Sequence, residues 1–425
     1  MLLMVAGIIT LQSDSTMPVI VHLVVLTCAA IGFLVARRGS LALKLNLCLT
    51  LLAIGFSVVA TEIALEIRSA VGPLPFRPVL TIVQEYRQRG VPAFPPLHGR
   101  QMRMAGLTEQ SFVVAHGERK LLPLMPAPAR AKTVLCHEAG IETVYESDRF
   151  GFNNPDHVWD SVEFEAFAIG DSFVHGVCVP RADNLIEPMR RHWPGIVNLG
   201  ISGAGPLLEL AVLHEYALPV KPKNVYWFYY EGNDFYDLSE ERRNPLLQFY
   251  LSDDARPQLT GLHAIVDEQL RAYLDDLVAK PTPSAPRQNP IVFHTKSIAK
   301  FAAVRRAIGL NFESPLADST IRAFADVIKT AQDLVENNGG RLWFVYLPEY
   351  DRFDRLGIGA GFRGRGRVLN AVQALGVPII DVSDQFSRVA DWRSLWVESR
   401  GHYSKRGYAL ASQAVAESLR NQSQD

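Results

Sequence analysis

The chain has 425 residues, 48% of them hydrophobic and 20% charged, with a formal net charge of -1 at pH 7. The length allows two or three domains, and a hydrophobic share ordinary for globular proteins argues against a polytopic membrane protein. Acidic and basic residues nearly cancel and no long basic tract is interleaved with aromatics, so nothing in the charge pattern would attract nucleic acid.

The chain opens on two apolar runs. Met17 to Ala36 carries no charged residue and is long enough to cross a bilayer as a helix, and Leu45 to Thr61 is a second charge-free run at the short end of the spanning range. Between them "RRGSLALK" places Arg37, Arg38 and Lys44, and positive charge in a short loop favours the cytoplasmic side. The N-terminus and everything beyond the second helix are then expected on the non-cytoplasmic face, periplasmic or extracellular. A cleaved signal peptide fits less well, because no basic region precedes the first run and a second run follows. Residues 1–68 therefore read as a membrane anchor with two transmembrane helices.

Residues 69–145 contain "GPLPFRP", "VPAFPPLHG" and "LLPLMPAPAR". Proline removes a hydrogen-bond donor and fixes φ, which disfavours long helices and central strands. This segment reads as a connecting region with short strands.

From residue 146 to 425 short apolar runs ("FEAFAIG", "GIVNLG", "NVYWFYY", "RLWFVYL", "VPIID") alternate with helix-like segments such as "STIRAFADVIKTAQDLVENN" and "SKRGYALASQAVAESL". Near-continuous apolar strands suit a parallel sheet covered on both faces, and the alternation predicts a doubly wound α/β domain. Ligands bind such sheets at the carboxyl ends of the strands. Residues from about 239 to 316 interrupt the alternation as an insertion, with "KPTPSAPRQNP" and a basic segment from Lys296 to Arg306 that reads as a solvated face, with a face toward anionic glycan or lipid headgroups as the alternative.

The four cysteines show no CxxC or HxxxH spacing and do not read as a zinc site. Cys136 and Cys178 either pair in an oxidising compartment or stay as two partly buried thiols.

Four segments fall where the sheet would place a site. In "AIGDSFVHG", Ser172 directly follows a strand, where a tight turn presents its hydroxyl and its own N–H to the same space. In "VNLGISGAGP", Gly203 can offer an unobstructed N–H. In "YYEGNDFYD", Asn233 can aim its amide at developing negative charge. In "WVESRGHYSKRGY", His402 precedes the final helix. Each alone has a bland reading: a capping serine, a loop glycine, a turn asparagine, a structural histidine. Among their neighbours, His175 reads as a first-turn residue facing away from or lining the pocket, and Asp171 as an organiser of its turn. Asp234 and Asp237 read as solvated carboxylates rather than metal ligands.

Taken in order, Ser172, Gly203, Asn233 and His402 resemble the four residues that name the SGNH (GDSL-like) hydrolase superfamily. The resemblance covers roughly residues 145 to 420 and is strongest from "SDRFGFNNPD" to "EGNDFYD". It looks most like a membrane-anchored branch associated with surface polysaccharide. It implies a three-layer α/β/α, flavodoxin-like fold with a parallel sheet, and hydrolysis or transfer of ester-linked acyl groups without metal or organic cofactor. By position, Ser172 would be the nucleophile and His402 the general base. The oxyanion donors would be the N–H groups of Ser172 and Gly203 with the Asn233 side chain. The family's aspartate two or three residues before the histidine is replaced here by Ser399 and Arg400. Glu398 is then the nearest candidate for the triad acid, with Asp391 or a Ser–His dyad as alternatives.

The function so implied is a serine esterase acting on O-acyl groups, acetyl by default, of a cell-envelope carbohydrate. An O-acyltransferase would share the same acyl-enzyme and differ only in the attacking hydroxyl. A catalytically weak scaffold holding a polysaccharide or an assembly partner at the membrane is the competing class. Its support is the missing aspartate.

Overall fold

In a computed structural model, the described residues are 39–70, 77–280, 304, 317–353 and 363–422, apart from 110, 139, 192, 253–254, 256–258 and 399–400. The first apolar run, Met17 to Ala36, lies outside the described residues, as does the segment "KPTPSAPRQNP" beyond its first residue. The chain divides into two compact units. In the first, the described residues include the helix α1 (Leu41–Ala70). Its portion Leu41–Leu65 is long and apolar enough to cross a membrane, with a mean hydropathy of 2.1 and large side chains such as Leu49, Leu52 and Phe56 exposed.

The second unit runs from Leu74 and holds everything described below. It begins with α2 (Val79–Gln88), β1 (Ala93–Phe94), α3 (Gly99–Arg103), a hairpin of β2 (Val114–His116) and β3 (Arg119–Leu121), then β4 (Lys132–Glu138) and β5 (Ile141–Glu146). β1 pairs parallel with β4, and β4 antiparallel with β5, giving a small separate sheet. The region expected to be a connector thus belongs to the same compact unit as the large sheet.

The large sheet follows: β6 (Ala166–Ile169), α4 (Ser172–His175), β7 (Ile196–Asn198), α5 (Pro206–Val212), β8 (Asn224–Tyr230), α6 (Asp234–Glu241), α7 (Leu259–Ala279), α8 (Asp318–Asn337), β9 (Arg341–Leu347), α9 (Arg363–Ala374), β10 (Ile379–Asp381) and α10 (Lys405–Gln422). Its order is β10-β9-β8-β6-β7, all parallel. The apolar runs explain why both faces are covered. On β8, Val225, Trp227 and Tyr229 enter one core with Phe324, Val327, Ile328, Ala331 and Val335 of α8. Tyr226 and Phe228 enter the other with Tyr408, Ala411 and Val415 of α10. Alternate residues of one strand feeding two helical layers define a three-layer α/β/α architecture. The spacing of the buried α8 residues is that of one helical face, and α8 stops at Asn337 before Gly339, whose φ is +81°.

The strand order reverses between β6 and β8: from β6 the chain crosses outward to β7, then returns to β8 on the other side. In a doubly wound sheet that switch point opens a crevice at the carboxyl ends of the two strands. Ser172 follows β6 and Asn233 follows β8, so sheet topology alone brings them to one place.

Candidate active site

Ser172 is the first residue of the four-residue helix α4, so its N–H has no intrahelical partner. Asp171 caps that helix, its carboxylate accepting the Phe173 N–H at 2.9 Å. Burial pushes the Asp171 carboxyl up to about 6. The helix ends at Gly176 with φ +84°. The Ser172 hydroxyl, half-buried, donates to Nε2 of His402 at 2.9 Å.

His402 sits on the loop between β10 and α10. Its backbone is pinned by the Val397 N–H donating to the His402 carbonyl at 2.9 Å and by the Trp396–Tyr403 bridge. Phe173 packs on its ring, centroids 5.1 Å apart. The carboxylate at its Nδ1 is Glu138, the last residue of β4, at 2.8 Å. Burial pushes the Glu138 carboxyl up, but the hydrogen bonds and charge of His402 outweigh it and leave it below the usual carboxylate range. A carboxylate at Nδ1 places the proton there and leaves Nε2 as acceptor, the tautomer that can take a proton from Ser172.

Glu398, the acid expected from sequence, is not that partner. Its carbonyl accepts the Gly401 N–H at 3.0 Å, closing the turn that leads into His402. Its side chain carboxyl is pushed up by burial and by the charge of Glu138. Asp391 lies exposed at the start of a short 3-10 turn. Ser399 and Arg400 are outside the described residues. The carboxylate that meets His402 thus comes from the small sheet, not from the loop that carries the histidine.

Gly203 has φ +75°, and a Cβ there would lie 1.9 Å from Cε1 of His98. Only glycine satisfies both demands. The His98 ring accepts the Arg100 N–H on Nδ1 at 3.1 Å, so a neutral ring carries its proton on Nε2. The Gly99 N–H donates to the Ser202 carbonyl at 2.8 Å, clamping α3 onto this loop. Asn233 stands at the start of α6, and its amide donates to Asp237 at 3.0 Å and also hydrogen-bonds the Asp171 carboxyl. Asp237 is ion-paired to Arg103 of α3, both side chains at most 7% exposed. The expectation that Asp234 and Asp237 are solvated does not hold: both are buried, and Asp234 accepts the Tyr230 N–H at 2.8 Å.

His175 is fully buried. Its Nδ1 faces the Ser202 N–H and Oγ at 3.2 and 2.9 Å, and its Nε2 lies 2.9 Å from the Tyr145 hydroxyl. Burial pushes its pKa down to about 3. It ties α4 to the Gly203 loop and to β5.

Three residues that sequence reasoning did not single out thus support the site from the proline-rich segment: Glu138 at His402, His98 over Gly203, and Arg103 behind Asn233. For Glu138 a signal existed. Cys136 and Cys178 form a disulfide, Cα atoms 5.6 Å apart, and that pairing alone places Glu138 near the segment that follows Ser172. Cys136, Glu138 and Cys178 also bring three potential ligand atoms within 4.8 Å of one another. With the sulfurs bonded to each other, no thiolate is there to bind a metal ion.

Among solved structures, the chain is similar to a protein assigned to the G-D-S-L lipolytic family from Desulfitobacterium hafniense, with 15% identity over 59% of this chain and 97% of that one and a TM-score of 0.34. It is similar to a lipase/acylhydrolase from Enterococcus faecalis, with 13% identity over 61% and 96% of the two chains and a TM-score of 0.33. Likenesses this distant say nothing of activity or substrate here. No protein-family model matches the chain, and no curated protein matches it.

Proposed function

We propose that this chain is a serine-dependent acyl-ester hydrolase or acyl transferase that works through an acyl-enzyme on Ser172. The observation that carries this reading is the unbroken relay Ser172 Oγ–H to His402 Nε2 and His402 Nδ1–H to Glu138. His402 removes the Ser172 proton as Oγ attacks the ester carbonyl, then returns it to the leaving alcohol. Glu138 holds the tautomer and stabilises the imidazolium. The N–H groups of Ser172 and Gly203 and the Asn233 side-chain amide are the donors for the oxyanion. Water or a sugar hydroxyl then attacks the acyl-enzyme, giving hydrolysis or transfer.

The substrate we propose is an O-acyl group, acetyl by default, on a cell-envelope carbohydrate. Its support is the resemblance carried by "RFGFNNP" and the GDSF strand. We place the chain at the cytoplasmic membrane with its site on the non-cytoplasmic face. The apolar length of Leu41–Leu65 supports the anchor, and the Cys136–Cys178 disulfide supports an oxidising compartment. A scaffold without catalysis loses its main support, because Glu138 occupies the place of the missing aspartate.

The test is labelling of the full chain in detergent by a fluorophosphonate, together with turnover of 4-nitrophenyl acetate. Both are expected in the wild type and absent in Ser172→Ala. Equal turnover in that variant would sink the reading.

A further inference from the structure

β4 carries the acid but shares no hydrogen-bonded ladder with the sheet that carries Ser172. The small sheet is tied to the nucleophile segment at two levels. One level is polar: Tyr145 meets His175, and the Asn153 amide donates to the His175 carbonyl at 2.9 Å. Tyr145 pairs with Thr133, five residues before Glu138 and therefore about 16 Å back along the strand. The other level is the disulfide, two residues from Glu138 on the same face of β4 and six residues after Ser172. At that end, Cys178 Sγ lies 2.6 Å from Glu138 Oε2 and 3.8 Å from His402 Nδ1. The disulfide sulfur is a wall of the socket in which the carboxylate meets the imidazole.

Cys178 also has φ +68°, a left-handed conformation that costs a non-glycine residue about 1–2 kcal/mol and persists only where its surroundings enforce it. The covalent bond to Cys136 is such a constraint.

We propose that Cys136 and Cys178 are positioning residues for the triad acid: their disulfide sets Glu138 against His402, so that reducing it lowers ester turnover while the fold persists. The inference rests on the reading of Ser172, His402 and Glu138 as a working triad. The reaction is thiol–disulfide exchange with a dithiol. One thiolate attacks a cystine sulfur and expels the other cysteine as thiolate. The second dithiol sulfur then closes on the first. Two electrons and two protons pass to Cys136 and Cys178, and the dithiol leaves as its cyclic disulfide. Two separate thiols need van der Waals distance between their sulfurs, so the strand end and the Cys178 segment move apart and Cys178 is free to relax. A displacement of about 1 Å at a catalytic group costs on the order of 10²-fold in rate. The polar ties at Tyr145 and Asn153 are untouched, and the cluster of Leu135, Tyr145, Val177 and Val397 around the sulfurs stays apolar, which is why the fold persists.

The experiment is a cycle on the full chain in detergent. Turnover of 4-nitrophenyl acetate is measured before and after dithiothreitol, and after reoxidation, in the wild type and in Glu138→Gln. The paired variant Cys136→Ala/Cys178→Ala is measured in both backgrounds as well, and circular dichroism follows folding. Reduction is expected to lower kcat by about 10–10² in the wild type, reversibly. It should change Glu138→Gln by less than a factor of about two, because two residues acting through one contact are not additive. The loss on reduction should fall on kcat and leave KM within a factor of about two, as in Glu138→Gln, since both changes withdraw the carboxylate from the imidazole without touching the substrate. Unchanged turnover on reduction would overturn the proposal. So would an equal loss in the Glu138→Gln background, which marks a merely structural bond. Should the reduced protein unfold, the Ala pair, which keeps the site apolar, decides by the same cycle. Absence of Ser172-dependent turnover in the oxidised wild type would overturn the underlying function, and this inference with it.

Discussion

Glu138 and His402 stand 264 residues apart in the chain and 2.8 Å apart in the fold. The contact joins the end of a strand in the small sheet to the loop before the last helix of the large one. It gives the imidazole a carboxylate without any acid in its own loop taking the role. The side chains are 20% and 25% exposed, shielded enough for the pair to be electrostatically strong and open enough for a substrate to reach Ser172.

The first prediction separates the two candidate acids. Glu138→Gln is expected to lower the turnover number for 4-nitrophenyl acetate by up to about 10⁴, as loss of an orienting carboxylate does. Glu398→Gln should leave it nearly unchanged. Combining Glu138→Gln with His402→Ala should be no worse than the worse single change, because the two act as a unit. Steady-state kinetics on Glu138→Gln, Glu398→Gln, His402→Ala and the double variant decide it, and a large loss confined to Glu398→Gln would reverse the assignment.

The second concerns the oxyanion donors. Asn233 is held by Asp171 and by Asp237, which is held by the buried Arg103, so its proposed role as a donor has a fixed amide behind it. Asn233→Ala is expected to lower kcat by about 10²–10³ with little change in KM, because the donor acts on charge that develops only in the transition state. A rise in KM alone would make Asn233 a substrate-binding residue instead.

The parallel sheet was legible because its strands are buried on both faces: "NVYWFYY" and "RLWFVYL" have no polar face to confuse with anything else. The residues proposed for the site, Ser172, Gly203, Asn233 and His402, could be picked out for a related reason. Each follows a strand or precedes a helix, and sheet topology gathers those ends at one edge. The proline-rich segment reads from sequence as a connecting region with short strands, because proline spacing reports short elements and says nothing of what they pack on. Glu138 was hidden in it, since a carboxylate at the end of a short strand has no local signature. Only the Cys136–Cys178 pairing, which spacing left open, pointed from that strand to the nucleophile. Arg103 and His98 were hidden in the same way, their roles set by contacts with Asp237 and Gly203 more than 100 residues away.

The third prediction is a pH dependence of stability. His175 is buried neutral with its pKa pushed down to about 3, against roughly 6.5 in an unfolded chain. The unfolded state therefore binds a proton that the folded state refuses. The contribution is complete above about pH 6.5 and is lost as pH falls toward 3, at up to about 1.4 kcal/mol per pH unit. His175→Gln removes that titration and leaves all others. The stability advantage of the wild type over this variant should shrink by about 2–3 kcal/mol between pH 7 and about pH 4.5, read from urea unfolding. Parallel stability curves would show that His175 is not buried neutral.

The last prediction concerns which side of a membrane the site faces. Arg37 and Arg38 precede the described apolar helix, whose portion Leu41–Leu65 is long and apolar enough to cross a membrane. Positive charge at one end of a spanning helix holds that end in the cytoplasm, and a single crossing carries the next residues to the other side. Alkaline phosphatase, which is active only where its own disulfides form, should therefore be active when fused after residue 70 and inactive when fused at Gly39. The cysteines offer an independent reading in the intact chain. With the second unit outside, Cys136 and Cys178 should resist a maleimide in denaturant until a reductant is added, while Cys48, the described free cysteine, reacts without it. A phosphatase active only at Gly39, together with Cys136 and Cys178 labelled without reductant, would put the site in the cytosol. There the disulfide would not persist, and Glu138 would have to find His402 without it.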